Sequence, residues 1–160
     1  METTIETTQI ITSAELLEHW LGHRKLTRRV IEAFPEKEFF EYSIGGMRPF
    51  AEMAQELLAI AGPGLRQIVE GSSEELDEHL QAKTKAQILE LWDESTEQIK
   101  VYWAKITDER FHETILTFGQ YEGTVQSSIL YFIDNEIHHR AQGFVFLRSL
   151  GIQPPFFWER

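Results

Sequence analysis

The chain has no cysteine, which excludes a disulfide framework, a thiolate zinc site and a cysteine nucleophile. No apolar run approaches the roughly 20 residues needed to cross a bilayer, and residues 1 to 11 lack the basic start and apolar stretch of a secretory leader. Positive charge is also short: 15 Lys and Arg stand against 26 Asp and Glu, for a formal net charge of −11. A groove that neutralises phosphates needs the opposite sign, so nucleic acid is not an expected partner. A Gly-rich phosphate loop, a Gly-x-Ser-x-Gly turn and a His-Glu-x-x-His helix are missing too, which removes nucleotide-binding, serine-hydrolase and zincin readings. These absences leave a cytoplasmic protein with no membrane partner as the expectation.

What is present is helical periodicity. Thr12 and Glu15 form a capping box ahead of Leu16, Leu17, Trp20, Leu21, Leu26, Val30 and Ile31, which predicts a helix over 13–34 ended by Pro35. A connection with at most a helical turn follows. A second helix starts near Pro49 or Phe50, buries Phe50, Met53, Ala54, Leu57, Leu58 and Ala61, and is interrupted or kinked at Gly62-Pro63-Gly64 before Gly71 ends it. Thr84 with Gln87 caps a third helix, whose stripe Ile88, Leu91, Trp92, Ser95, Ile99, Tyr102 and Ile106 predicts an end near Asp108. Residues 109–123 read as a covered loop, and 124–150 as the fourth helix, stopped by Gly151. Trp20, Trp92 and Trp103 read as core or interface anchors. Phe156, Phe157 and Trp158 are expected to cap the bundle or to meet a second subunit, since three successive aromatics are rarely left in water.

The fold class is therefore all-α, a four-helix bundle with long inter-helix connections. One domain over 12–160, preceded by a flexible segment over 1–11, is long enough to bury its own core.

The chemistry concentrates in the last helix. Glu136 and Arg140 fall inside its apolar stripe and read as a buried ion pair; Asn135 and His139 fall on one flank, four residues apart and able to reach one ion. Glu56 flanks the stripe of the second helix. Together Glu56, Asn135 and His139 form a candidate three-point metal site, because bundle cores take metal from side chains on facing helices. The bland alternatives are a Glu56 paired with Arg140 or Arg48, an Asn135 amide bonded to a neighbour, and an ordinary core histidine. His19 and His23 are also four apart, but their neighbours suggest a wetter face with no matching carboxylates. Arg24, Lys25, Arg28 and Arg29 read as a solvated helix face.

The run Asn135-Glu136-Ile137-His138-His139-Arg140-Ala141-Gln142, with Leu147-Arg148-Ser149-Leu150-Gly151 after it, resembles the closing helix of the DinB and YfiT family of four-helix bundles; Met47-Arg48-Pro49-Phe50 is similar to the lead into that family's second helix. The resemblance implies a divalent metal held by three histidines. In this sequence their places fall on Glu56, Asn135 and His139, so one imidazole survives. The expected cofactor is then Ni, Zn, Fe or Mn, or none. The implied function is a metal-dependent enzyme, in one form a transferase using a small-molecule thiol; the alternative is a non-catalytic homodimeric bundle that binds a small molecule or partner without metal.

Overall fold

A computed structural model describes residues 9–79 and 81–160. Residues 1–8 of the expected flexible segment lie outside the described residues. Four long helices, α1 (Ser13–Ala33), α3 (Phe50–Glu70), α4 (Lys85–Trp103) and α5 (Val125–Ser149), carry the structure, with a short α2 (Glu36–Glu41) after α1. The starts are where local chemistry puts them. Thr12 and Glu15 complete the capping box of α1, the Thr84 and Thr124 hydroxyls accept the backbone N–H of Gln87 and Ser127, and Pro49 occupies the N-cap of α3.

Around the ring the order is α1–α4–α3–α5: α3 packs on α4 and α5, and α1 packs on the same two. The α3–α5 contact thus places Glu56 opposite the polar segment of the last helix. The buried side chains divide into two clusters. One holds Trp20, Leu65, Ile99, Trp103, Val125, Ile129 and Phe132; the other holds Val30, Phe34, Phe39, Phe50, Trp92, Phe146 and Leu147. Between them, at mid-height of α1 and α5, lies a layer of buried polar residues that includes His23, Arg24, Thr27, Asn135, Glu136, His139 and Arg140.

Several details depart from the sequence expectations. Residues 62–64 do not interrupt α3, which runs through Pro63. The glycines serve packing instead: a Cβ on Gly62 would sit 2.5 Å from the Gln98 side-chain oxygen, and one on Gly64 would sit 2.7 Å from the Phe132 ring. The third long helix stops at Trp103, not near Asp108. Its last bonds tighten to the i to i+3 pattern, and a 3-10 turn (Asp108–His112) then buries Phe111. The covered loop contains a hairpin. Strand β1 (Thr114–Thr117) pairs antiparallel with β2 (Tyr121–Thr124), with Thr114 opposite Thr124 and Thr117 opposite Tyr121. A lone hairpin of this length is marginal in water, so its packing on the bundle stabilises it. The tail aromatics do not cap the core: Phe156, Phe157 and Trp158 are 47%, 64% and 63% exposed.

Arg24 is not on a solvated face. Its side chain is buried, its Nη2 donates to the Trp92 carbonyl at 3.2 Å, and its guanidinium lies 3.6 Å over the Trp92 ring. Burial lowers its pKa to about 10, against the pull of Glu136, so it stays charged.

Candidate functional site

The three sequence-selected side chains meet. Glu56 projects from the second turn of α3, and Asn135 and His139 from successive turns of α5; all three are buried. Asn135 Nδ2 donates to Glu56 Oε1 at 3.0 Å, and His139 Nε2 lies 3.0 Å from the same oxygen. The other carboxylate oxygen, Oε2, takes a bond from Nη2 of Arg48. Arg48 precedes Pro49, a position biased toward extended backbone, and its side chain reaches back along the first turns of α3 to Glu56. Of the two partners the sequence suggested for Glu56, Arg48 is the one that binds.

Burial acts to raise the Glu56 pKa. The bonds from His139, Arg48 and Asn135 outweigh it and hold the carboxyl down at about 2, so the group is anionic at neutral pH. A carboxylate has no hydrogen to give, so the His139 nitrogen facing it carries one. On the far side of that ring, the Gln142 amide nitrogen lies 3.5 Å from Nδ1 and 2.9 Å from Nε2 of the exposed His138.

A cavity of about 340 Å³ opens beside Glu56. Ile60, Phe132 and Tyr131 form walls, the hairpin residues Thr117, Phe118 and Tyr121 cover it, and Ser128 adds a hydroxyl. Phe118 holds a positive φ of 53°, uncommon for a side chain of its size. Two contacts offset that cost: its N–H donates to Gln67 Oε1 at 3.1 Å, and its ring packs 6.3 Å from that of Phe132. The sequence reading missed this roof. The local signal was a set of strand-favouring residues, Ile115, Thr117, Phe118 and Tyr121, on either side of Gly119, in runs too short to separate from a loop.

Glu136 and Arg140 do not form the expected ion pair. Glu136 accepts from Trp20 Nε1 at 3.2 Å and from the Thr27 hydroxyl at 2.7 Å, and its charged partner is Arg24 at 3.7 Å. Arg140 turns toward α1, donating to the His23 carbonyl at 3.3 Å and to His23 Nδ1 at 2.9 Å. Residues four apart on a helix share a face, but the opposite helix offered each a nearer partner. His23 is accordingly buried rather than on a wet face, its Nε2 3.1 Å from that of the exposed His19. Burial, then the charges of Arg140, His19 and Arg160, lower its pKa to about 3. A site ringed by two guanidinium groups is poorly suited to a metal cation.

Glu56, Asn135 and His139 suit a divalent cation in donor chemistry. One carboxylate oxygen, one amide oxygen and one imidazole nitrogen favour Mn, Fe or Ni over an all-thiolate metal. Both Glu56 oxygens and His139 Nε2 are already engaged in hydrogen bonds, so a cation there would replace those bonds rather than fill a void. Among the described residues no group of three His, Cys, Asp or Glu side chains is placed to hold a metal, which makes the Asn135 amide essential to any such set.

Fold and site define a four-helix bundle with a polar centre between its third and fifth helices, next to a small cavity. The chain belongs to the DinB family, whose profile matches residues 1–159. It is similar to a DinB-like protein from Bacillus cereus (14% identity, TM-score 0.75, 91% of this chain and 97% of that one). It is also similar to YfiT from Bacillus subtilis, described as a probable metal-dependent hydrolase with an unusual four-helix bundle topology (11% identity, TM-score 0.73, 95% of each chain). A mycothiol-dependent maleylpyruvate isomerase is further off (14% identity, TM-score 0.58, 82% of this chain and 60% of that one). At these identities the likeness shows the fold. No curated protein sequence matches significantly. No helix among the described residues is long and apolar enough to cross a membrane.

Proposed function

We propose that this DinB protein is a divalent-metal-dependent enzyme acting on a small molecule by hydrolysis or thiol-dependent transfer, with Glu56, Asn135 and His139 as the metal-holding residues. The observation that carries the reading is the convergence of Asn135 and His139 on one oxygen of Glu56, each at 3.0 Å. When bound, the cation would supply Lewis acidity to a water or thiol in the adjoining cavity. The chain's own residues prepare the place. Asn135 would turn its amide to present oxygen, and His139 would present Nε2 free of its hydrogen, with Gln142 beside Nδ1 to orient the ring. The aromatic walls from Phe118 and Phe132 limit water, and the Thr117 and Ser128 hydroxyls offer polar contacts to a substrate.

A second reading, a binding module without metal, is favoured by the Arg48–Glu56 ion pair, which already neutralises the carboxylate. Elemental analysis of protein purified without added metal or affinity-tag nickel separates the two. Stoichiometric Ni, Zn, Fe or Mn that disappears in His139→Ala supports the enzyme; no metal in either protein supports the binding module. The exposed tail aromatics, with Phe156 and Trp158 stacked 4.7 Å apart, support pairing with a second copy of the chain. Light scattering that shows only monomer at micromolar concentration would overturn that pairing. A cytoplasmic location accords with the reading.

A further inference from the structure

The Arg48 guanidinium occupies Oε2 of the carboxylate whose Oε1 faces Asn135 and His139. A divalent cation at Oε1 would therefore stand one carboxylate away from a fixed positive charge, in a site where Glu56 is almost fully buried. Two positive charges on one carboxylate repel, and solvent at the half-exposed guanidinium weakens that repulsion without removing it. Arg48 is unlike the other residues of the centre in its freedom: its side chain is 42% exposed, whereas that of Glu56 is 11% exposed. It also has somewhere to go. Arg48 lines a second groove of about 420 Å³ together with Glu52, Leu76, Glu78 and His79, and this groove adjoins the Glu56 cavity through Leu76 and Glu78. Glu52 and Glu78 are both exposed, and neither forms an ion pair among the described residues.

We propose that Arg48 is a tethered cation that competes with divalent metal for Glu56, so that filling the centre moves its guanidinium across to Glu52 and Glu78. The inference rests on the metal reading above and adds a residue that sets how readily the site loads. It makes the ion pair that favoured a metal-free centre the resting arrangement of a centre that accepts metal.

The test is calorimetric titration of the metal-stripped full-length protein with manganese chloride and, separately, nickel chloride. The proteins compared are wild type, Arg48→Met, Arg48→Lys and the double variant Arg48→Met/His139→Ala. Thermal melting confirms that each is folded; Arg48 is exposed enough for substitution to leave the core untouched. Removing a close charge pair should tighten binding by roughly tenfold or more. Arg48→Met should show that gain, Arg48→Lys should resemble wild type because the charge is kept, and the double variant should lose it. Equal affinity in wild type and Arg48→Met would overturn the role of Arg48 and leave the metal site standing. No binding in any of the four proteins would overturn both. Tighter binding in Arg48→Met that survives loss of His139 would place the metal elsewhere and overturn the proposal.

Discussion

His139 Nε2 stands 3.0 Å from Glu56 Oε1, and the Asn135 amide meets that oxygen at the same distance. This shared acceptor ties α3 to α5 by charge-assisted bonds that exist only while Glu56 is ionised. The bonds from His139, Arg48 and Asn135 hold its folded pKa at about 2, below the ordinary value of 4.5. A depressed carboxyl pKa contributes stability that is fully present above the unfolded value and is lost as pH falls through the folded one. Thermal melts between pH 7 and 2 should therefore show a loss, between about pH 4.5 and 2, that is smaller in Glu56→Gln. Parallel curves for the two proteins would contradict the network.

His23 gives a second pH window, which opens two units higher and overlaps the first below about pH 4.5. Its pKa falls from 6.5 to about 3, since burial and the charges of Arg140, His19 and Arg160 disfavour the imidazolium. The unfolded chain takes up a proton near pH 6.5 that the folded chain refuses, so stability declines as pH drops from 6.5 toward 3. Between pH 7.5 and 5, above most carboxyl titrations, His23→Gln should flatten the melting temperature relative to wild type. A wild-type melting temperature constant over that range would count against a buried neutral His23.

Glu136 is the one anion set among the buried guanidinium groups of Arg24 and Arg140. Replacing it with alanine leaves that charge unmatched, and Arg24 Nη1 already has no hydrogen-bond partner. A loss of about 3 to 5 kcal/mol in urea denaturation is expected. Asp93→Asn serves as the surface control. It removes the anion from a half-exposed pair with Arg28, and should cost no more than about 1 kcal/mol.

Gly64→Ala tests the wall of the cavity. The new methyl would fall 2.7 and 2.8 Å from two Phe132 ring atoms. Helix propensity favours alanine by about 1 kcal/mol, whereas overpacking costs roughly 1 to 3 kcal/mol. A net destabilisation is expected, because Phe132 is held between Trp20 and Phe118 at ring separations of 6.4 and 6.3 Å. A more stable variant would mean that the ring swings aside into the cavity.

Helix starts were legible because caps are local: Thr12 and Thr84 each bond a backbone N–H three residues ahead. Glu56, Asn135 and His139 were legible because polar side chains at the edge of an apolar stripe must share the α3–α5 contact with each other. The glycines around Pro63 misled as breakers, since their reason lies on α4 and α5, in Gln98 and Phe132. Arg24 misled as a surface charge, since only the facing Trp92 and Glu136 make its burial tolerable.

Periodicity, caps and the polar interruption of the last helix were properties of the sequence alone, for they depend on residues within a turn or two of one another. Tertiary structure decided who bonds whom. Arg48 rather than Arg140 meets Glu56, Arg24 rather than Arg140 lies nearest Glu136, and a hairpin closes the cavity. Buried charges settle on the partner that leaves the fewest polar atoms unsatisfied, and that partner comes from whichever helix the packing brings near.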